Sequence, residues 1–145
     1  MAAKVLLVED DRALREALAD TLELGGHDYR AVDCAEAALL AIGQEPFGLV
    51  VSDVNMPGMD GHQLLCAIRE RQPQLPVLLM TAFGAVERAV EAMRRGAADY
   101  LVKPFEPRTL LALVARHALG RASELEQDGP VAVSYTHLTL PTICS

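Results

Sequence analysis

Glu9-Asp10-Asp11 sets three carboxylates in consecutive positions directly after the apolar run Val5-Leu6-Leu7-Val8. Three further polar residues close apolar runs in the same way: Asp53 follows LVVS, Thr81 follows VLLM and Lys103 follows YLV. Carboxylates within a few ångströms of one another repel, and one takes up a proton unless a cation sits among them. A hard divalent ion such as Mg2+ resolves that conflict with one or two direct carboxylates, a backbone carbonyl and waters. In such a setting Asp53 would be both metal ligand and nucleophile, attacking a phosphoryl group to form an acyl phosphate. Thr81 would hydrogen-bond one phosphoryl oxygen, Lys103 would neutralise a second and the metal would hold the third. Charge stabilisation and in-line placement are most of what phosphoryl transfer requires, so no general base is needed. Taken alone, Glu9 to Asp11 reads equally well as a solvated loop ending in a helix cap. What gives the four positions weight is that each closes an apolar run.

They share an edge only if those runs are parallel strands of one sheet, and the periodicity between them supports that. Val5 to Val8 is short and apolar throughout, as a strand buried on both faces should be. Leu14, Ala17, Leu18, Thr21 and Leu22 then recur at helical spacing, with Asp11 as N-cap and Gly25-Gly26 as the stop. A weaker strand follows at Tyr29 to Val32. Asp33 with Glu36 predicts a capping box for a helix from Ala35 to Ile42, closed by Gly43. Leu49 to Val51 is the third strand, and Asp60 with Gln63 caps a helix carrying Leu64, Leu65 and Ile68. Val77 to Met80 is the fourth strand, followed by a helix with Val86, Ala89, Val90 and Met93 on one face and Gly96 at its end. Tyr100 to Val102 is the fifth, and the last helix starts near Pro107 with Leu110, Leu111 and Val114 inward. Strict alternation of this kind demands a parallel sheet covered on both faces. Ligands in such sheets bind beyond the carboxyl ends of the strands, where all four polar positions fall.

Composition narrows the classes. A length of 145 residues with 51% apolar content sustains one domain with a real core, and 4% aromatic content leaves that core to aliphatic side chains. A net charge of -7 without a basic stripe argues against a nucleic-acid surface. Cys34, Cys66 and Cys144 are odd in number and far apart, which fits reduced thiols and a cytoplasmic setting better than a disulfide framework. No stretch approaches a membrane span or a signal peptide. Gly120 to Pro130 is polar and reads as a linker. The tail VSYTHLTLPTICS, residues 133–145, is Thr-rich and without a partner strand, and reads as vector-derived.

The segments VEDD, DVNMPGMDG, MTA and LVKPF stand in the order and at the spacing of receiver domains of two-component response regulators, and the resemblance covers residues 4–119. It implies a flavodoxin-like, doubly wound sheet of order 2-1-3-4-5 with five helices. It also implies that Asp53 is the phosphoacceptor, that Glu9 and Asp10 are the Mg2+-site acids, and that Asn55 gives the metal its carbonyl. Thr81 and Lys103 resemble the switch hydroxyl and the site lysine, and Tyr100 the aromatic switch residue. Glu9 stands where many such domains have a second Asp, and Lys103-Pro104 is often cis in the family. The implied partner is a sensor histidine kinase, with a homodimer formed through the 86–95 helix, the last strand and the last helix. The run AVERAVEAMRRGAADYLVKPF is similar to receivers of sigma-54-dependent, NtrC-type activators and also to those of LuxR-type regulators, and the first class is the one expected. The expected layout is a receiver over 1–122, a linker start over 123–132 toward an output domain, and the tail. Phe83, two residues after Thr81, would hinder a hydrolytic water and lengthen the life of the acyl phosphate.

Three other readings compete. Parallel α/β phosphatases also use an Asp nucleophile, Mg2+, a hydroxyl and a Lys, but usually carry a general-acid Asp where this chain has Asn55. A flavodoxin-like cofactor binder would want amide-rich Gly, Ser or Thr after the first strand, not acids. A receiver-like module that is never phosphorylated would have no need of Asp53, Thr81 and Lys103 together. The expected protein is therefore a regulatory phosphoacceptor and not an enzyme that turns over substrate.

Overall fold

In the computed structural model, which describes residues 4–82 and 86–118, five strands alternate with five helices. They are β1 (Val5–Val8), α1 (Arg12–Leu24), β2 (Tyr29–Val32), α2 (Ala35–Gln44), β3 (Leu49–Asp53), α3 (Gly61–Arg71), β4 (Val77–Thr81), α4 (Val86–Arg94), β5 (Asp99–Val102) and α5 (Pro107–Ala118). All pairings are parallel and the order is β2-β1-β3-β4-β5, the flavodoxin-like arrangement. Phe83 and residues 119–145, with the linker and tail readings, lie outside the described residues.

The sheet is a septum between two apolar layers. Alternate residues of the central strands point each way: Leu6, Val8, Val50 and Leu79 pack against α2 and α3. Val5, Leu7, Val51 and Leu78 pack against α1 and α5. Burial on both faces explains why β1, β3 and β4 are apolar throughout instead of alternating. Both β3 and β4 run further than the apolar stretches suggest, so that Asp53 and Thr81 are the last residues of their strands.

Several local expectations need correction. Cys34, not Asp33, caps α2: its sulfur accepts the Ala37 N–H at 3.4 Å. Gly43 lies inside that helix, which runs on to Gln44. Among the described side chains of α4, Val90 and Met93 are 48% and 44% exposed, while Ala92 is buried against the core. Leu111 is only half-buried, while Leu110 and Val114 are inward as expected. Cys34 keeps a free thiol. Asp11 caps α1, and Asp60 with Gln63 forms the reciprocal box that opens α3.

Arg69 fastens the side of the sheet away from the acid cluster. Its guanidinium donates to Gly96 O at 3.0 Å, to Leu75 O at 3.1 Å and to Pro73 O, joining the end of α3, the lead into β4 and the turn between α4 and β5. Gly96 has φ of +103°, and a side chain there would meet Arg69 Cδ at 2.8 Å. Burial holds the Arg69 pKa below its ordinary value. Arg69→Met should therefore strand several carbonyls and cost about 2 kcal/mol, read as a lower urea midpoint with an unchanged slope.

Candidate functional site

Parallel strands end together, so the polar residues closing β1, β3, β4 and β5 meet at one edge. β1 and β3 pair Val8 with Ser52, and β3 and β4 pair Asp53 with Met80. Glu9 therefore sits beside Asp53, and Thr81 one step beyond it. β2 and β3 flank β1, making this the point where the strand order reverses.

Glu9, Asp53 and Thr81 are buried at 1%, 4% and 3% exposure. The Lys103 ammonium reaches in from β5 to lie 3.0 Å from Asp53 Oδ1 and 3.4 Å from Glu9 Oε1. The Asp53 contact is an ion pair without hydrogen-bond geometry, so this buried oxygen accepts no hydrogen bond among the described residues. Glu9 Oε2 accepts the Asp11 N–H at 3.2 Å. One carboxylate oxygen each from Glu9, Asp10 and Asp53 lies within 4.8 Å of the others, close enough to grip a single cation. Asp10 is exposed and opens the cluster to solvent.

The electrostatics agree with a site short of positive charge. Burial raises the pKa of both Glu9 and Asp53 above their ordinary values, and repulsion adds to it, from Asp53 at Glu9 and from Asp10 at Asp53. Burial works against the Lys103 charge as well, yet the two carboxylates outweigh it and hold the ammonium above the usual lysine value. One lysine cannot neutralise three acids. Three carboxylates within cation-sharing distance, one of them open to solvent at Asp10, fit a hard divalent ion.

The neighbouring elements hold this edge in place. Ser52, fully buried, donates its hydroxyl to Asp53 O at 3.0 Å, and Gly61 N donates to Val54 O at 2.9 Å. The start of α3 is thus pressed onto the end of β3, which is why the loop DVNMPGMDG closes with a glycine. Lys103 N donates to Thr81 O at 2.6 Å, and the Lys103-Pro104 peptide is cis. Asn55 is an exposed residue of the β3–α3 loop. Tyr100 lies half-buried against the α2–α3 layer, its hydroxyl buried with no hydrogen-bond partner among the described residues.

The structure thus brings Glu9, Asp10, Asp53 and Lys103 into one cluster and puts Thr81 on the adjoining strand end. Sequence reasoning gave no role to Ser52 or Gly61, although the glycine closing the loop was a signal. His117 has Nε2 3.1 Å from Asp99 Oδ2 and ties α5 to β5.

A doubly wound sheet with an acid cluster and a lysine at its reversal point defines a class of phosphate-handling α/β domains. The chain belongs to the response regulator receiver domain family, whose model matches residues 5–115. It is 76% identical over 133 residues to the response regulator protein FleR of Pseudomonas aeruginosa, covering 92% of this chain and 28% of that protein. It is 37% identical over 130 residues to the DNA-binding transcriptional regulator NtrC of Salmonella typhimurium, covering 90% of this chain and 28% of that one. The chain thus spans less than a third of either relative. Among solved structures, a Francisella response regulator 1452 receiver domain superposes with a TM-score of 0.78 at 28% identity, covering 82% of this chain and 98% of that one. The resemblance to receivers of NtrC-type activators holds in these relatives, and no helix among the described residues is long and apolar enough to cross a membrane.

Proposed function

We propose that this domain accepts a phosphoryl group on Asp53 from a phosphohistidine of a sensor histidine kinase, and that the resulting acyl phosphate switches an output surface that controls transcription. The observation that supports it most is the convergence of a buried Asp53 carboxylate with Lys103 at 3.0 Å and two further acids within cation-sharing distance. Glu9, Asp10 and Asp53, with the Asn55 carbonyl, would hold Mg2+. When bound, the ion supplies charge neutralisation for the phosphoryl oxygens.

The protein's own groups do the rest. Asp53 Oδ attacks phosphorus while the imidazole nitrogen of the donor leaves with the bonding pair. Lys103 shields the new charge, and the Thr81 hydroxyl is drawn to the phosphoryl group. That displacement biases the half-buried Tyr100 ring, whose hydroxyl has no partner to hold it among the described residues, and so shifts a two-state equilibrium in the surface of α4, β5 and α5. Val90, Met93 and Val102 already present apolar side chains there, which suits the homodimer expected through that face. The reading keeps the expected layout of a receiver over 1–122, a linker start over 123–132 toward an output domain and a vector-derived tail over 133–145, with the family match over residues 5–115 as support for the first part alone. A DNA-binding relative supports a cytoplasmic setting, and this fragment itself binds neither nucleic acid nor membrane. It performs no turnover beyond its own phosphorylation and slow dephosphorylation.

Transfer from a phosphorylated histidine kinase tests the reading. Wild-type chain should take up label, Asp53→Asn should lose at least about 99% of it, and chelation of Mg2+ should stop it. Undiminished labelling of Asp53→Asn would remove the assignment.

A further inference from the structure

Asp10 is the one exposed acid of the cluster, and side-chain contacts tie down the peptides on either side of it. β1 pairs with β3 only as far as Val8. Glu9 N still donates to Val32 O at 3.1 Å, but the Glu9 carbonyl lies past the end of the ladder. Arg15 takes it: Nη1 donates to Glu9 O at 2.9 Å, from a half-buried position one turn into α1. A helical side chain leans toward the N-terminus of its helix, which carries the guanidinium back over the loop. On the far side of Asp10, Asp11 N is held by Glu9 Oε2 at 3.2 Å, and Asp11 itself caps α1 through Leu14 N.

We propose that Arg15 is a positioning residue for the cation site. By fixing the Glu9–Asp10 peptide it aims the Asp10 carboxylate at the point shared with Glu9 and Asp53. This rests on the reading that the acid cluster holds Mg2+. The sign of the effect separates the idea from a purely electrostatic role. A guanidinium near a metal site repels the metal, so if charge were its whole influence, removing Arg15 would tighten Mg2+ binding. Loss of positioning weakens it instead. Removing a group that orients a metal ligand typically costs about tenfold or more in affinity.

The test is a Mg2+ titration of the chain without phosphodonor, followed by the amide NMR shifts of Asp10, Asp11 and Asp53 or by calorimetry. Arg15→Ala should bind Mg2+ about tenfold more weakly than wild type. Arg15→Lys, which keeps a donor on a shorter reach, should recover part of the loss. At saturating Mg2+, Arg15→Ala should be phosphorylated at the wild-type maximal rate, because the residue acts on metal occupancy and touches no reacting atom. Thermal melts in chelator guard against a merely unfolded variant, since a folded Arg15→Lys must still show the intermediate affinity. Equal or tighter Mg2+ binding by Arg15→Ala, beside a wild type that binds, overturns this role and leaves the metal reading standing. A wild type that binds no Mg2+ overturns both.

Discussion

Lys103→Met should destabilise the fold by about 3 kcal/mol near neutral pH and much less at mildly acidic pH. The ammonium is the cation that faces both buried carboxylates, at 3.0 Å from Asp53 and 3.4 Å from Glu9. Removing it leaves two uncompensated charges in a site where burial already raises both pKa values. The sign follows from which state holds more protons. Carboxylates with raised folded-state pKa values keep their protons longer in the native state than in the unfolded one, so stability falls as pH climbs through those values. Lysine obeys the same rule in a higher window: its raised pKa gives stability that is fully present throughout the neutral range and is lost only above the ordinary lysine value. Methionine removes that support and exposes the full pH dependence of the acids. Mg2+ should then stabilise the variant more than the wild type, because its competitor for the same oxygens is gone. At a hundredfold excess over the dissociation constant, mass action contributes about 2.7 kcal/mol. Urea melts at two pH values, with and without Mg2+, measure all of this. A loss that ignores both pH and Mg2+ would mean that Lys103 is merely packed there.

Gly61→Ala should cost about 3 kcal/mol even though alanine favours helices over glycine by about 1 kcal/mol. A Cβ at this position would lie 2.5 Å from Asp53 O and 2.7 Å from Val54 Cα. Those atoms are backbone and cannot rotate away, so α3 must retreat from β3. The retreat would loosen the Gly61 N to Val54 O bond and disturb the peptide that carries Asp53, so phosphorylation should slow along with the loss in stability. Gly43→Ala is the matched control. It sits inside α2 with nothing within 4 Å of the added carbon, and should stabilise by about 0.5–1 kcal/mol. Opposite signs for the two changes are expected in denaturant midpoints. Equal signs would mean that the contact between α3 and β3 is softer than the distances require.

The strand ends were legible because parallel strands buried on both faces need unbroken apolar runs. The first polar residue after each run is then forced to the same edge. That rule alone suffices to place Glu9, Asp53, Thr81 and Lys103 together. Helix faces were less legible. In α4, apolar residues at helical spacing mark a stripe but do not say whether it meets a core or solvent. Val90 and Met93 face out, while the small Ala92 makes the close contact inward. At the start of α2 the acid at position 33 promised a cap, yet the next residue, Cys34, has the extended backbone that a cap requires. The groups that act through carbonyls were invisible. Arg15 serves one backbone oxygen just past β1 and Arg69 serves several from different segments, and a sequence carries no sign of which carbonyls the sheet leaves unpaired.

The central claim is that Asp53 becomes an acyl phosphate. The most direct measurement is to incubate the chain with Mg2+ and acetyl phosphate, reduce the product with borohydride, and map the modified residue by peptide mass spectrometry. The expected result is homoserine at Asp53 alone, formed only when Mg2+ is present. Reduction at Asp10 instead, phosphate resting on Thr81 or a histidine, or no modification of the folded chain would contradict it.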